Sequence, residues 1–129
     1  MAGPIVFISR SRVKEGKLEE LRDMFATATP KLEADKPRTL VFLAYLREDQ
    51  SALTIVHVFA DSESFEVHLE GAGERAQTAY QFIETIGFEI LGQPGDGVLE
   101  SMRQAAARVG VPLKLEPEYA TGFLRPAAG

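Results

Sequence analysis

The stretch that decides the fold reads TLVFLAYL over residues 39–46, REDQS over residues 47–51 and ALTIVHVFA over residues 52–60. Two apolar runs rich in β-branched and aromatic residues, joined by a short polar connection, predict an antiparallel hairpin. Both runs are apolar at successive positions, whereas a strand with one face in water alternates. We therefore expect both faces of the hairpin to be covered, one by helices and the other by a second copy of the sheet.

Upstream of the hairpin, the sequence predicts one strand and one helix. Residues 5–11 begin with β-branched and aromatic residues and then alternate, which is typical of a strand. Beyond Gly16, apolar residues recur at spacings of three and four, as on one face of a helix. Pro30 falls inside this pattern, so a kink or an early end is expected near Thr29.

Downstream, the chain repeats this pattern with a helix and then a strand. Asp61 is the expected N-cap of the second helix, and Gly71 and Gly73 weaken its middle enough to split it in two. Residues 85–90 alternate as a fourth strand. The order β-α-β-β-α-β predicts an α+β, ferredoxin-like sandwich with two helices on a four-stranded antiparallel sheet.

The remaining residues, 93–129, add an extension to this core. Their apolar spacing predicts a third helix that ends at Gly110, followed by an accessory strand or arm where residues 111–116 alternate. A chain of 129 residues has the length of one domain. We expect a single domain over residues 1–129, with its core at about residues 4–92.

Composition argues against several classes of function. The chain has 14 basic and 19 acidic residues, a net charge of −5, and no cluster of Lys or Arg, which disfavours nucleic-acid binding. No apolar stretch approaches the length of a membrane span. The absence of cysteine removes disulfides, thiolate metal sites and cysteine nucleophiles, and it fits a reducing compartment. A cytoplasmic protein is expected.

Two junctions carry a family resemblance. Residues 13–21, VKEGKLEEL, and residues 59–68, FADSESFEVH, resemble the strand-to-helix junctions of the antibiotic biosynthesis monooxygenase-like domain, a member of the dimeric α+β barrel superfamily. The resemblance covers roughly residues 4–92. It implies a homodimer joined through the sheet face, a small aromatic or apolar organic ligand, and no cofactor. Members of this shape include cofactor-free oxygenases of aromatic polyketides, heme-degrading enzymes, muconolactone-type isomerases and proteins without known activity.

Two histidines are the candidate catalytic residues. His68 follows Phe65 by three residues on the inner helical face, where an imidazole with a pKa near neutrality could take a proton from a phenol or shuttle one in an isomerisation. A core histidine bonded to a neighbour is the structural alternative. His57 lies in the apolar third strand and needs a polar partner, for which Glu89, Thr85 or the second subunit are the candidates. Its structural reading, in the core or at the interface, is favoured over a catalytic one.

Four aromatic residues are candidate substrate contacts: Tyr45, Phe59, Phe65 and Tyr80. Aromatic residues at such spacings are also common in cores. No metal site is expected, because two histidines without a clustered carboxylate do not make one. Heme degradation is disfavoured, since the chain contains no Trp or Asn to complete the Asn, Trp and His set of the heme-degrading members.

Three hypotheses of function stay open. The first is a cofactor-independent monooxygenase, or related small-molecule enzyme, acting on an aromatic or polyketide-like substrate with His68 as its base. The second is a non-catalytic dimeric protein that binds a small ligand or responds to stress. The third is an isomerase or cyclase that moves a proton without using oxygen.

Overall fold

The computed structural model describes residues 3–125, which form one sheet flanked by four helices. The strands run in the order β2-β3-β1-β4-β5 across the sheet, and the first four pair antiparallel. The α+β, ferredoxin-like prediction is confirmed. The elements in chain order are β1 (Ile5–Val13), α1 (Leu18–Asp35), β2 (Thr39–Leu46), β3 (Ala52–Phe59), α2 (Ser62–Leu69), α3 (Ala72–Ala79), β4 (Ile83–Leu91), α4 (Asp96–Val109) and β5 (Leu113–Glu116).

The sheet has five strands where the sequence predicted four. After α4, which ends at the left-handed Gly110, the chain returns along the edge of β4 and pairs with it in parallel as β5. Leu113 lies beside Phe88 in this register and packs against the core. The accessory strand expected in the extension therefore belongs to the main sheet, because its apolar residues complete the packing under α4.

The helix boundaries confirm two expectations and correct a third. Asp61 caps α2, its carboxylate accepting hydrogen bonds from the backbone N–H of Ser64 at 2.8 Å and from the Ser64 hydroxyl at 2.7 Å. Gly71 adopts a left-handed conformation and separates α2 from α3. The early end near Thr29 was wrong, since α1 continues through Pro30 to Asp35.

The helix-covered face of the sheet carries two apolar clusters, one at each end of the strands. Buried polar residues lie beside both clusters, with His57 of β3 level with Phe7 and Ser11 of β1 level with Leu53. The first cluster contains Ile5, Phe7, Phe59, Phe65, Ile90, Val98 and Met102, and the second is built on Leu21, Leu53 and Ile83.

The opposite face of the sheet is open and is largely apolar across β2 and β3, whereas β1 and β4 add the ion pair of Arg10 and Glu89 to it. The register places Leu43 and Tyr45 of β2 against Val56 and Thr54 of β3 on this face. Leu43 is 47% exposed and Tyr45 is 59% exposed. The helices cover one face of the hairpin, as expected, and the second face lacks a cover within residues 3–125. None of the helices in that range combines the length and hydropathy of a membrane span.

Candidate active site

The two histidines meet between the sheet and α2. His57 projects from the middle of β3, and His68 projects from the last turn of α2. Their ring centroids are 5.1 Å apart with an angle of 72° between the ring planes, and each residue is 5% exposed. The inward orientation expected for His68 is therefore present, and the structure places His57 beside it.

A main-chain contact fixes the ring of His57. Its Nδ1 lies 2.9 Å from the carbonyl oxygen of Phe7, which can only accept, so Nδ1 carries the proton. The expected partners, Glu89 and Thr85, were wrong. Glu89 lies opposite Ile8 on the other face of the sheet and accepts a hydrogen bond from Arg10 at 2.9 Å.

A side-chain contact fixes the ring of His68. Its Nδ1 lies 2.7 Å from the hydroxyl oxygen of Thr39, the first residue of β2. The hydroxyl can either donate to Nδ1 or accept from it, so this contact permits both neutral tautomers. With Nδ1 engaged in both histidines, Nε2 is the ring atom of each that remains for a ligand or a water molecule.

Two basic side chains bind the last turn of α2 around His68. The guanidinium of Arg75, from α3, donates to the carbonyl oxygens of His68 and of Glu70, the latter at 3.0 Å. The ammonium of Lys36, which follows α1, donates to the carbonyl oxygen of Val67 at 2.9 Å. Cations are favoured at this end of a helix, where backbone carbonyls lack partners.

Burial keeps both imidazoles neutral. The pKa of His57 is lowered to about 4, mainly by burial and further by the charge of Arg75, although the bond to Phe7 opposes the shift. The pKa of His68 is lowered to about 3 by burial first, then by His57, Arg75 and Lys36. Burial also lowers the pKa of the Arg75 guanidinium, against the opposing charge of Asp35. At neutral pH the pair is therefore uncharged and lies beside fixed positive charge.

The four aromatic candidates do not come together. Phe59 and Phe65 have no exposed surface and stack on each other at 4.6 Å in the core next to the histidines. Tyr45 lies on the open face of the sheet, opposite to the histidines. Tyr80 follows α3, where its carbonyl oxygen accepts a hydrogen bond from Lys14 at 2.6 Å. Their roles as substrate contacts stay predictions, and of the four only Phe59 packs against the histidine rings, with centroids 5.2 Å from His68 and 6.3 Å from His57.

The histidine pair is closed from solvent, and Phe42 covers it at the β2 edge. The ring of Phe42 stands edge-on to His57, with centroids 5.2 Å apart, and is only half-buried. Ala44, two residues along on the same face of β2, is exposed. Open clefts of about 630 and 530 Å³ lie instead at the other end of the sheet around Arg12 and Lys14, and Tyr80 lines the second of them.

Sequence reasoning missed three residues of the site: Thr39, Lys36 and Arg75. Arg75 follows His68 by seven residues, which is two helical turns, and this spacing could have indicated a shared face. The break at Gly71 interrupts the helical periodicity between His68 and Arg75, so their spacing is only weak evidence that they share a face. Thr39 and Lys36 lie around the start of β2, and only the tertiary fold brings them to α2.

Comparison with known families decides the chain's relationship. The sequence model of the antibiotic biosynthesis monooxygenase family matches residues 4–78, more than half of the chain. The protein belongs to this family. The family resemblance expected from residues 13–21 and 59–68 is thereby confirmed. Among curated proteins no sequence matches the chain significantly.

Solved structures place this family member among related folds. MupZ from Pseudomonas fluorescens superimposes with a TM-score of 0.73 at 16% identity, covering 98% of each chain. SnoaB, a cofactor-independent oxygenase from Streptomyces nogalater, gives 0.57 at 20% identity over 69% of this chain and 91% of its own. HapK from Hahella chejuensis gives 0.59 at 14% identity over 71% and 94%. The MupZ match thus extends over the C-terminal part of the chain as well.

Proposed function

We propose that this family member is a cofactor-independent oxygenase of an aromatic or polyketide-like substrate, with His68 as the base. The observation that carries the proposal is the buried, neutral pair of His57 and His68 beside the charge of Arg75. Family membership and the similarity to SnoaB, named a cofactor-independent oxygenase, support it.

The reaction starts with proton removal from an activated methylene group, as in an anthrone. Nε2 of His68 takes the proton, and the electron pair left behind is delocalised over the ring system as an enolate. Dioxygen accepts electrons from this anion and forms a carbon–oxygen bond, and the resulting peroxide takes the proton back from His68 to give a hydroperoxide. Loss of water then leaves a carbonyl, so that one methylene group and one dioxygen molecule become one carbonyl group and one water molecule. Because the substrate supplies the electrons, the balance requires no cofactor.

The low pKa of His68 fits this step once the substrate anion is counted. In the empty site, burial and the neighbouring cations disfavour the imidazolium. Proton transfer creates an anion within reach of that imidazolium, and an opposite charge at close range raises a histidine pKa. Arg75 stabilises the same anion. The imidazolium of His68 is thus favoured only when the substrate anion lies beside it. In the free enzyme His68 stays neutral and available as a base.

His57 supports His68 in this proposal. Its ring is held by the Phe7 carbonyl, and it stacks on the Phe7 ring with centroids 4.8 Å apart. The edge-to-face contact with His68 then limits the orientations open to the second ring. In this proposal substrate reaches the pair past Phe42, a half-buried ring at the β2 edge that swings away from His57.

The second part of the proposal is a homodimer joined through the open face of the sheet. This face presents Val6, Ile8, Val41, Leu43, Tyr45 and Val56 next to one another in the β-sheet register. Burying such residues contributes about 25 cal/mol per Å² of apolar area. A second copy of the same face is self-complementary, and it supplies the cover that the doubly apolar hairpin requires.

Location in the cytoplasm, expected from the absence of cysteine, also stays a prediction.

Oxygen uptake with an anthrone tests the oxygenase directly. The purified protein should accelerate uptake above the rate of buffer alone and consume one dioxygen molecule for each quinone formed. Uptake at the buffer rate, with the anthrone bound, would leave the second hypothesis, a non-catalytic binding protein. Absence of both uptake and binding would remove anthrones as the substrate class.

The isomerase or cyclase hypothesis is the second candidate. It is favoured by the same neutral pair, because proton transfer by two adjacent imidazoles does not require oxygen. An oxygenase should lose activity under argon. An enzyme that rearranges its substrate at the same rate under argon and in air would be an isomerase.

A further inference from the structure

The positive charge at the histidine site points to the nature of the substrate. The whole chain carries a net charge of −5, yet Arg75 and Lys36 both lie at the end of α2 beside the two neutral histidines. Within residues 3–125, the ion pairs closer than 4.0 Å involve Arg10, Arg12, Lys17 and Arg38 as the cations, and neither Lys36 nor Arg75 is among them. The site thus holds two cations that no carboxylate of these residues contacts.

Capping of α2 accounts for only part of the hydrogen-bonding capacity of these cations. The guanidinium of Arg75 has five N–H donors, and two hydrogen bonds to carbonyl oxygens hold it in place. The ammonium of Lys36 has three donors and uses one on Val67. Donors remain on both groups, and their main-chain contacts fix them in position. This is the arrangement that binds a planar anion at little entropic cost.

We propose that the substrate carries a carboxylate, which Arg75 and Lys36 bind while the reacting carbon faces His68. This inference rests on the proposed function in one respect: it takes the substrate to bind at the histidine pair. A carboxylate suits the two cations because its two oxygens match the two parallel N–H donors of a guanidinium. The carboxylate also stays charged throughout the reaction. The carboxylate would compensate the desolvated charge of Arg75, which Asp35 opposes only from beyond 4.0 Å within the described part of the chain.

A matched pair of probes tests this inference. The probes are 1-hydroxy-2-naphthoate and its neutral isostere 1-hydroxy-2-naphthamide, and calorimetry at pH 7.5 measures their affinities. We expect the naphthoate to bind at least about 10-fold more tightly, the effect of one charge-assisted contact. The His68 imidazole resonance should shift when the naphthoate binds, and the pKa of His68 should rise, because an anion now lies beside it.

Charge-removing variants locate the effect. Arg75→Gln and Lys36→Gln should each weaken naphthoate binding about 10-fold and leave naphthamide binding unchanged, because a glutamine still donates to a carbonyl oxygen but carries no charge. Arg75→Lys should retain most of the preference. Arg103→Gln, on the exposed face of α4, is the control for a general loss of positive charge. Should Arg75→Gln fail to fold, Lys36→Gln and Arg75→Lys carry the test.

The outcomes separate this inference from the oxygenase proposal. Equal affinity for the two probes, no binding of either, or an unchanged preference in both glutamine variants would overturn the carboxylate proposal, whatever the oxygen uptake with an anthrone. A naphthoate preference that depends on Arg75 and Lys36 would support it even if no oxygen is consumed.

Discussion

His57 and His68 face each other edge to face at 5.1 Å, and each is held by a partner from a different strand, the Phe7 carbonyl of β1 and the Thr39 hydroxyl of β2. The two rings therefore join β1, β2, β3 and α2 at one point. Such a cluster contributes to stability as well as chemistry, because each buried imidazole is fixed through its Nδ1 atom. Both consequences can be measured.

Acid should destabilise the protein between about pH 6.5 and pH 3. The folded-state pKa values of His57 and His68, about 4 and about 3, lie below the unfolded value of 6.5. Below pH 6.5 the unfolded chain therefore binds more protons than the folded one, and the free energy of unfolding falls as pH falls. The slope is at most about 1.4 kcal/mol per pH unit for each histidine. Urea unfolding across this pH range measures it, and His68→Gln should reduce the slope.

The hydrogen bond between Thr39 and His68 should contribute to the free energy of unfolding. Thr39→Val leaves a buried ring nitrogen without its partner, at a cost of about 1–3 kcal/mol. Thr39→Ser keeps the hydroxyl and should restore most of the loss. Thr27→Val, on the exposed surface of α1, controls for the change of side chain. Equal unfolding free energies for Thr39→Val and the wild type would show that this contact contributes nothing.

Phe42 should control access to the histidines. Phe42→Ala removes the ring that stands edge-on to His57, so both imidazoles should react several-fold faster with diethyl pyrocarbonate. Phe25→Ala is the matched control, because Phe25 is also half-buried but packs in the other apolar cluster. If both variants raise the rate equally, general loosening and not a specific path explains the reactivity.

The open sheet face should hold the dimer together. Leu43→Asp places a charge within the proposed interface and should convert a dimer to a monomer in sedimentation experiments. Ala26→Asp, on the exposed side of α1, should leave the dimer intact. A wild-type protein that sediments as a monomer at micromolar concentration would contradict the interface.

Local signals in the sequence predicted the fold well. The cap at Asp61, the break at Gly71 and the helix end at Gly110 each depend on the conformation of a few neighbouring residues, so a short stretch of sequence reveals them. Pro30 misled, because α1 continues through this proline to Asp35. The single-domain organisation over residues 1–129 stays a prediction.

The candidate site was harder to predict, because it depends on register. Because β2 is apolar at successive positions, its sequence does not show which residues face the helices and which face the other side of the sheet. The sequence therefore could not show that Tyr45 faces away from His57. The register of β4 likewise sends Glu89 to the face opposite His57. Lys36 and Arg75 come to His68 from two other segments, and such tertiary contacts leave no periodic signal.

Isotope labelling tests most directly the claim that His68 starts an oxygenation. With an anthrone under dioxygen labelled with oxygen-18, the wild-type protein should give a quinone that carries one labelled oxygen atom in its new carbonyl. His68→Ala should form this product at the rate of buffer alone, whereas the exposed control Arg103→Gln should match the wild type. Labelled product formed equally fast by His68→Ala and by the wild type would contradict the account.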